Sequence, residues 1–181
     1  MSDYTNRLII EEDGAVKHLK NKCIPNISLP NQDGILLRLD RSDTFRIVIF
    51  FFSMTGRPDR PLPDNWNNIP GAKGCTIQTC SFRDNYDKII SLNAIPIGIS
   101  TQTVIDNKEM TTRLQIPYDV LSDEKLELKT LLNLPIFSIN EKDYLKRTTL
   151  IIENNIIKKV FYPIYDINNH IQEVLKWLQE N

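Results

Sequence analysis

The chain has 181 residues, of which 41% are hydrophobic and 25% are charged. This length and composition favour a single globular domain that buries about 70% of its unfolded surface, and they exclude a disordered or collagen-like protein. The 22 basic and 23 acidic residues leave a formal net charge of -1, so no long-range field would recruit nucleic acid or an anionic membrane. Any function must therefore come from a local site.

The first part of the chain is polar and predicts an arm followed by a hairpin. We expect residues 1–22 to form an arm, with one short helix over residues 15–20, on a domain that covers residues 23–181. Asn31–Gly34 carries Asp-Gly turn chemistry between two short apolar runs, which is typical of a β-hairpin. The two runs are Ile27–Leu29 and Ile35–Leu39.

A continuous apolar run marks the expected centre of the fold. Ile47–Phe52 is apolar at every position and rich in β-branched and aromatic residues, which predicts a strand covered on both faces. Residues 53–74 contain four prolines and three glycines, and this density predicts an irregular segment. From Cys75 to Leu92 the apolar residues recur near helical spacing, so we expect a helix there.

The second half of the chain alternates between strand and helix patterns. The predicted elements are a strand over Ile95–Ser100, a helix over Val104–Leu114, an extended piece over Tyr118–Leu121, a helix from an Asp123 N-cap to Leu132, a hairpin of Thr148–Ile152 and Ile156–Phe161, and a helix from about Asn168 to Gln179. This order predicts a three-layer α/β domain, with a mixed central sheet and helices on both faces.

The cellular compartment is expected from what the chain lacks. Ile47–Phe52 is far too short to cross a bilayer, and Met1–Tyr4 lacks the basic start and apolar stretch of a secretory signal. We therefore expect a cytoplasmic protein that does not bind membranes. Its three cysteines do not suggest a stapled secreted domain, and in a reducing compartment a cysteine pair is more often catalytic or metal-binding than structural.

The most specific local feature is a cysteine at the predicted start of a helix. Cys75 ends the Gly- and Pro-rich segment and opens the helix directly after the central strand. The helix dipole and the free backbone N–H groups of a first turn favour the thiolate, and Lys73 adds a nearby positive charge. Because the thiolate is the nucleophilic form of cysteine, we predict that Cys75 is the reactive residue.

A second cysteine, Cys80, lies five residues further along the predicted helix. In an unbroken helix the Cα atoms of Cys75 and Cys80 would be about 8.6 Å apart, whereas a disulfide needs about 4.4 to 6.8 Å. A bond between them therefore requires the first turns to unwind. The spacing leaves two interpretations open, a redox pair or two core cysteines. A zinc site is disfavoured because no second ligand pair has the usual spacing.

The residues around this pair resemble the active-site signature of the Q-type peroxiredoxins, also called bacterioferritin comigratory proteins. The signature runs from Pro70 to Tyr86 and contains Cys-Thr-x-Gln-x-Cys-x-Phe-Arg-Asp. The resemblance covers roughly residues 23–180. Its other matching segments are Ile47–Phe52, Ile97–Thr101, Leu121–Asp123 and Arg147–Ile152.

The resemblance implies a thioredoxin-like fold and a thiol peroxidase that reduces hydrogen peroxide and organic hydroperoxides. Cys75 would be the peroxidatic cysteine and Cys80 the resolving cysteine, giving an intramolecular disulfide that thioredoxin or a similar dithiol recycles. Arg147 would stabilise the thiolate and donate to the peroxide oxygens, while Gly74 and Gln78 would lie in the substrate-binding part of the site. No metal or organic cofactor is implied, and we expect a monomer or a weak homodimer.

One departure from the family pattern concerns a hydroxyl group. The family usually carries a threonine three residues before the reactive cysteine, and this chain has Ala72 there. Residues 53–69 look like an insertion, from which Thr55 could supply the hydroxyl, with Ser53 and Thr76 as weaker candidates. The missing threonine keeps an alternative function open, a redox-responsive interaction module with little turnover that exposes or hides the loop around Trp66.

Several other chemistry-bearing residues are expected to be structural. We expect Cys23 to be a buried small hydrophobe, and His18 and His170 to lie on the surface because no nucleophile or ligand is near either of them in sequence. Arg83 has Asp87 as its i,i+4 helical partner, which favours an ion pair over a catalytic role.

Overall fold

The computed structural model describes residues 13–40 and 45–181. Residues 1–12 of the predicted arm lie outside the described residues. Within the two described ranges the strands are β1 Ser28–Pro30, β2 Leu36–Arg38, β3 Arg46–Phe51, β4 Ala94–Ser100, β5 Val120–Ser122, β6 Ile136–Ile139, β7 Lys142–Leu145, β8 Thr148–Glu153 and β9 Ile156–Phe161. The helices are α1 Cys75–Asp84, α2 Tyr86–Ser91, α3 Val104–Arg113, α4 Glu127–Leu132 and α5 His170–Glu180, with a 3-10 turn over Trp66–Asn68.

A five-stranded mixed sheet in the order β5-β4-β3-β8-β9 organises the molecule. The predicted central strand is confirmed, since β3 lies in the middle and Ile47 to Phe51 are all buried. It pairs parallel with β4 and antiparallel with β8. The carboxyl end of β3 therefore lies beside the beginning of β8, and this pairing brings two distant parts of the chain to one edge of the sheet.

Alternate residues of β3 build two separate apolar layers. Phe50 packs against Phe82 of α1 on one face of the sheet, and this layer also includes side chains of α2, α3 and α5. Ile49 belongs to the opposite layer, together with Leu128 of α4 and Leu29 of β1. This alternation confirms the predicted three-layer α/β architecture with helices on both faces.

Both predicted hairpins are present with the expected turn chemistry. Strands β1 and β2 pair antiparallel around the Asp-Gly turn, and β8 pairs antiparallel with β9. Asn154 and Asn155 both adopt positive φ, as a two-residue turn of the type I′ class requires. Strand β9 is an edge strand of the large sheet, which places Lys158 and Lys159 where charged residues discourage edge-to-edge association.

The structure corrects three of the predicted helices. Residues 15–20 form turns rather than a helix, since a six-residue segment gains too little from helix formation and is instead held by burial of Val16 and Leu19. The single helix expected over 75–92 breaks at Asn85. The helix expected from Asp123 begins at Glu127, and the Asp123 carboxylate accepts hydrogen bonds from the backbone N–H groups of its first turn, at 3.0 and 2.9 Å.

The break between α1 and α2 also changes an expected ion pair. The i,i+4 geometry that would join Arg83 to Asp87 requires a continuous helix. Instead the Arg83 guanidinium donates to Asp84 at 2.8 Å and to the Leu114 carbonyl at 2.8 Å. The expected structural role of Arg83 stands, but its partners differ.

A further hairpin, β6–β7, does not follow from the sequence patterns considered above. Its strands pair antiparallel and are joined by Asn140 and Glu141, both with positive φ. Tyr144 on β7 and Phe137 on β6 form an aromatic surface that receives Trp66.

No helix in the described part of the chain is long and apolar enough to span a bilayer.

Candidate active site

The thiol of Cys75 lies where the irregular segment after β3 enters α1. Gly74 immediately before it has φ 97°, a left-handed conformation that glycine adopts without strain, and this turn aims the first residue of the helix back at the sheet. Cys75 is 2% exposed, and its Sγ lies 3.6 Å from the Ala72 carbonyl oxygen. Cys75 is the first residue of α1, where the backbone N–H groups of a helix have no partner within the helix.

The Arg147 guanidinium contacts two other predicted site residues, Cys75 and Gln78. Its Nη2 lies 3.5 Å from Cys75 Sγ and donates to the Lys73 carbonyl at 2.7 Å, while its Nε donates to Gln78 Oε1 at 3.1 Å. Arg147 is only 6% exposed, so solvent screens its charge weakly. A fixed guanidinium at this distance offers N–H donors to an oxygen atom bound beside the sulfur.

A cavity of about 460 Å³ opens beside the thiol. Residues of the 53–69 segment form much of its wall, among them Met54, Leu62 and Trp66, and the first turn of α1 closes the other side with Cys75. Exposed residues such as Ile77 also border the cavity, so the thiol has an approach from solvent. Cys75 is therefore shielded from bulk water without being sealed in the core.

The 53–69 segment is fixed at both ends of the cavity wall. Trp66 is 3% exposed, and its ring contacts those of Tyr144 and Phe137 at centroid distances of 5.0 and 5.7 Å. Toward α3, both Arg57 and Arg60 donate to the Asp106 carboxylate, at 3.0 and 3.2 Å. The tryptophan therefore packs the segment over the site rather than presenting a free surface.

The structure does not bring the Thr55 hydroxyl to the thiol. Thr55 is 2% exposed, and both its hydroxyl and its backbone N–H donate to Gln102 Oε1, at 3.1 and 2.9 Å. It borders a separate cavity of about 120 Å³. The prediction of a substrate-binding role for Thr55 is thus not supported by its position, because the buried Gln102 amide takes the hydroxyl as its own partner.

The weaker hydroxyl candidates have different outcomes. The Ser53 hydroxyl donates to the Leu145 carbonyl at 2.9 Å and is buried. Thr76, by contrast, is exposed and borders the cavity together with Cys75. Ala72 itself is 1% exposed and has no polar side chain to offer.

The other two cysteines are free thiols in different settings. Cys80 is half-buried within the intact helix α1, so the estimated Cα separation of about 8.6 Å from Cys75 applies and no disulfide can close in this conformation. Cys23 is exposed, which corrects the expectation of a buried residue. The Cys23 backbone pairs with that of Ile156 in an isolated antiparallel β-bridge beside the turn of the β8–β9 hairpin. The pairing therefore involves the backbone of Cys23 and not its thiol.

His170 was expected on the surface and is instead buried beside the site. Its ring is 1% exposed, with Nε2 2.8 Å from Thr149 Oγ1 and Nδ1 3.2 Å from Glu173 Oε2. Burial is the main cause of a lowered His170 pKa, which Arg147 lowers further and Glu173 partly restores. The available signal was helical spacing, since His170 precedes Val174 and Leu178 at intervals of four on the apolar face of α5.

The chain is similar in sequence to known proteins. The model of the AhpC/TSA family matches residues 65–160, which is more than half of the chain. A putative chloroplastic peroxiredoxin Q of Oryza sativa subsp. indica is 27% identical over 160 residues, covering 88% of this chain and 66% of the relative. The chloroplastic peroxiredoxin Q of Suaeda salsa is 27% identical over 155 residues, covering 86% of this chain and 65% of that relative. The chain thus spans slightly less than two thirds of these relatives.

Solved structures share the fold over almost their whole length. Peroxidoxin BcpB of Mycobacterium tuberculosis superposes with a TM-score of 0.73 at 22% identity, covering 89% of this chain and 96% of that one. A mutant PrxQ of Xylella fastidiosa gives a TM-score of 0.72 at 15% identity, covering 89% and 95%. These likenesses confirm the predicted thioredoxin-like fold. Because the family model matches more than half of its residues, the chain belongs to the AhpC/TSA family, in which its relatives are peroxiredoxins of the Q type.

Proposed function

We propose that the protein is a thiol peroxidase that reduces hydrogen peroxide and organic hydroperoxides through Cys75. The observation that carries the proposal is the Cys75 sulfur at the first turn of α1, beside a cavity and 3.5 Å from the Arg147 guanidinium. The thiolate attacks one peroxide oxygen, an S–O bond forms and the O–O bond breaks. Cys75 becomes a sulfenic acid, and the leaving oxygen takes a proton to give water or an alcohol.

The second step requires α1 to open. Cys80 attacks the Cys75 sulfenic acid, an intramolecular disulfide forms and water leaves. This role is supported by the position of Cys80, which is a free thiol on the same helix. Cys75 and Cys80 can meet only after local unfolding of that helix. A thioredoxin-like dithiol then reduces the disulfide by thiol–disulfide exchange and restores both cysteines.

We also propose that the protein works in the cytoplasm as a monomer or weak homodimer. Three unpaired cysteines suit a reducing compartment, and one of them, Cys23, is exposed. The curated plant relatives are named as chloroplastic.

The test is peroxide consumption by the purified protein with a thioredoxin and its reductase. We expect catalytic turnover that Cys75→Ser abolishes. Cys80→Ser serves as the matched control, because it keeps Cys75 and should consume about one equivalent of peroxide before stopping as a sulfenic or over-oxidised thiol. Absence of any peroxide consumption by the unmodified protein would refute the proposal.

A redox-responsive interaction module is the second candidate. The observation in its favour is the lack of a hydroxyl at Ala72, combined with the engagement of the Thr55 hydroxyl by Gln102. In that case oxidation of Cys75 would loosen the segment held by Trp66, with little turnover. Slow, stoichiometric oxidation in the same assay would favour the module, whereas repeated turnover favours the enzyme.

A further inference from the structure

The side-chain amide of Gln78 is buried beside Arg147, and only its oxygen is hydrogen-bonded within the described residues. Gln78 is 1% exposed, and its Oε1 accepts the hydrogen bond from Arg147 Nε at 3.1 Å. Its Nε2 is buried and has no hydrogen-bond partner among the described residues. A buried N–H donor without an acceptor costs free energy, so its retention in a site of this kind points to a partner that binds there.

The orientation of this amide follows from its neighbour. A guanidinium only donates hydrogen bonds, so the amide oxygen must face Arg147 and the NH₂ group is the unbonded end. The same guanidinium contacts Cys75 Sγ through Nη2 at 3.5 Å. Gln78 also follows Cys75 by three residues in α1, which places both side chains on the same side of the helix. The free donor therefore belongs to the surroundings of the thiol.

The site has few other neutral donors for an oxygen atom. Position 72 holds alanine, and the hydroxyls of Thr55 and Ser53 are committed to Gln102 and to the Leu145 carbonyl. Thr76 borders the cavity but is exposed to solvent. Among these groups, Gln78 alone combines full burial with a free N–H.

We propose that Gln78 Nε2 donates a hydrogen bond to the oxygen atom next to Cys75 Sγ, first in the bound hydroperoxide and then in the sulfenic acid. This inference rests on the proposed function. The thiolate electron pair forms the S–O bond, the O–O bond breaks, and the leaving oxygen carries the electron pair away and takes a proton from solvent. The sulfur is oxidised by two electrons and the peroxide is reduced. Gln78 neither gains nor loses a proton; its donor makes the attacked oxygen a better electrophile.

The variant Gln78→Glu separates the two ends of the amide. Glutamate keeps an oxygen for Arg147 Nε and removes the N–H donor. In a Cys80→Ser background, oxidation of Cys75 by hydrogen peroxide is followed in a single turnover as a function of pH. We compare the plateau rates at high pH, where the thiolate fraction no longer changes. The plateau should fall at least about tenfold in Gln78→Glu, as expected for loss of one donor to the reacting oxygens.

Gln179→Glu is the matched control, since it makes the same amide-to-carboxylate change at an exposed position near the carboxyl end of α5, away from the cavity. Its plateau should equal that of the parent protein. An unchanged plateau in Gln78→Glu would overturn the inference, as would an equal fall in Gln179→Glu. If the parent protein itself is not oxidised by hydrogen peroxide, the proposed function fails, and that result is distinguishable from either of these.

A second measurement needs no change at Gln78. In ¹⁵N-glutamine-labelled Cys80→Ser protein, one side-chain amide proton of Gln78 should shift downfield when Cys75 is oxidised, because it gains an oxygen acceptor. An unshifted Gln78 amide on fully oxidised protein would overturn the inference even if the glutamate variant failed to fold.

Discussion

Arg147 is the charged side chain that contacts the buried Cys75 sulfur. It follows β7 in the chain and precedes β8, and it reaches Cys75 Sγ, the Lys73 carbonyl and Gln78 Oε1 with two of its nitrogens. The three contacts fix the guanidinium plane, so its charge and its donors face the sulfur. A lysine at this position would supply the positive charge without the rigid, paired N–H donors of a guanidinium.

Removal of this guanidinium should slow the first chemical step. We expect Arg147→Ala to reduce the rate of Cys75 oxidation by about 100-fold, because both a donor and a positive charge are lost. The rate of Arg147→Lys should lie between those of the parent protein and Arg147→Ala. Stopped-flow oxidation by hydrogen peroxide measures these rates, and an unaltered rate in Arg147→Ala would remove Arg147 from the mechanism.

His170 gives the fold a dependence on pH. Burial lowers its pKa in the folded protein below the ordinary value of 6.5, so the unfolded chain binds more protons below that pH. The free energy of unfolding should therefore decrease as pH falls from about 6.5, and above it the imidazole is neutral in both states.

The His170 contribution can be isolated by substitution. His170→Gln should flatten the decrease of the unfolding free energy between pH 7 and pH 5, measured by urea denaturation at each pH. His18→Gln is the matched control, because His18 is exposed and its Nε2 lies 2.8 Å from the Leu132 carbonyl oxygen. Equal slopes in the parent and in His170→Gln would contradict the assignment.

The proposed cycle requires a helix α1 that is stable enough to present Cys75 and weak enough to open so that Cys80 can reach it. It is only ten residues long and ends at Asn85, so no continuous helix supports it at its carboxyl end. Its middle is held by the Tyr118 hydroxyl, which donates to the Thr79 carbonyl at 2.7 Å. That bond sits one residue before Cys80 and opposes the opening that a disulfide needs.

Loss of this hydrogen bond should speed the second step. Because one such bond contributes about 1 kcal/mol, we expect Tyr118→Phe to accelerate conversion of the sulfenic acid to the disulfide by about fivefold, without changing the oxidation of Cys75. Tyr86→Phe is the control, since the Tyr86 ring stacks on Tyr118 and no hydrogen bond to its hydroxyl is recorded within residues 13–40 and 45–181. If disulfide formation keeps its parental rate in Tyr118→Phe, opening at Thr79 does not limit the step.

Trp66 anchors the 53–69 segment at one end, while Arg57 and Arg60 hold it to Asp106 at the other. Trp66 inserts between the segment and the β6–β7 hairpin, and truncation of a buried tryptophan typically costs about 3 kcal/mol or more. We expect that loss of unfolding free energy in Trp66→Ala, measured by urea denaturation. Trp177→Ala, which removes a half-buried tryptophan on α5, should cost less. A smaller loss in Trp66→Ala than in Trp177→Ala would show that the anchor is elsewhere.

The sheet brings together residues that the sequence separates widely. Cys75 and Arg147 are 72 positions apart, yet the β3–β8 pairing places the segments that hold them at one edge. The elements that form this edge could be predicted from the sequence, because each carries a local signal. These signals are the apolar run of β3, the turn asparagines of the β8–β9 hairpin and the cysteine signature. The family resemblance then supplied Arg147, for which no local pattern exists.

The remainder depends on contacts that no local pattern reveals. From the sequence, the Thr55 hydroxyl could bind a substrate. In the structure it donates a hydrogen bond to the buried Gln102 amide, 47 positions away. The β6–β7 hairpin has short, partly exposed strands, so their residues do not alternate strongly between apolar and polar. The hairpin packs instead through the rings of Phe137 and Tyr144 around Trp66. The free end of the Gln78 amide becomes visible only once Arg147 is seen to occupy the other end.

The most direct test of the catalytic cycle is mass spectrometry of the protein after treatment with one equivalent of hydrogen peroxide. Peptides separated without reduction should show Cys75 linked to Cys80 within one chain and Cys23 as a free thiol. A linkage through Cys23, or a sulfenic acid on Cys75 that persists while Cys80 stays reduced, would contradict the account.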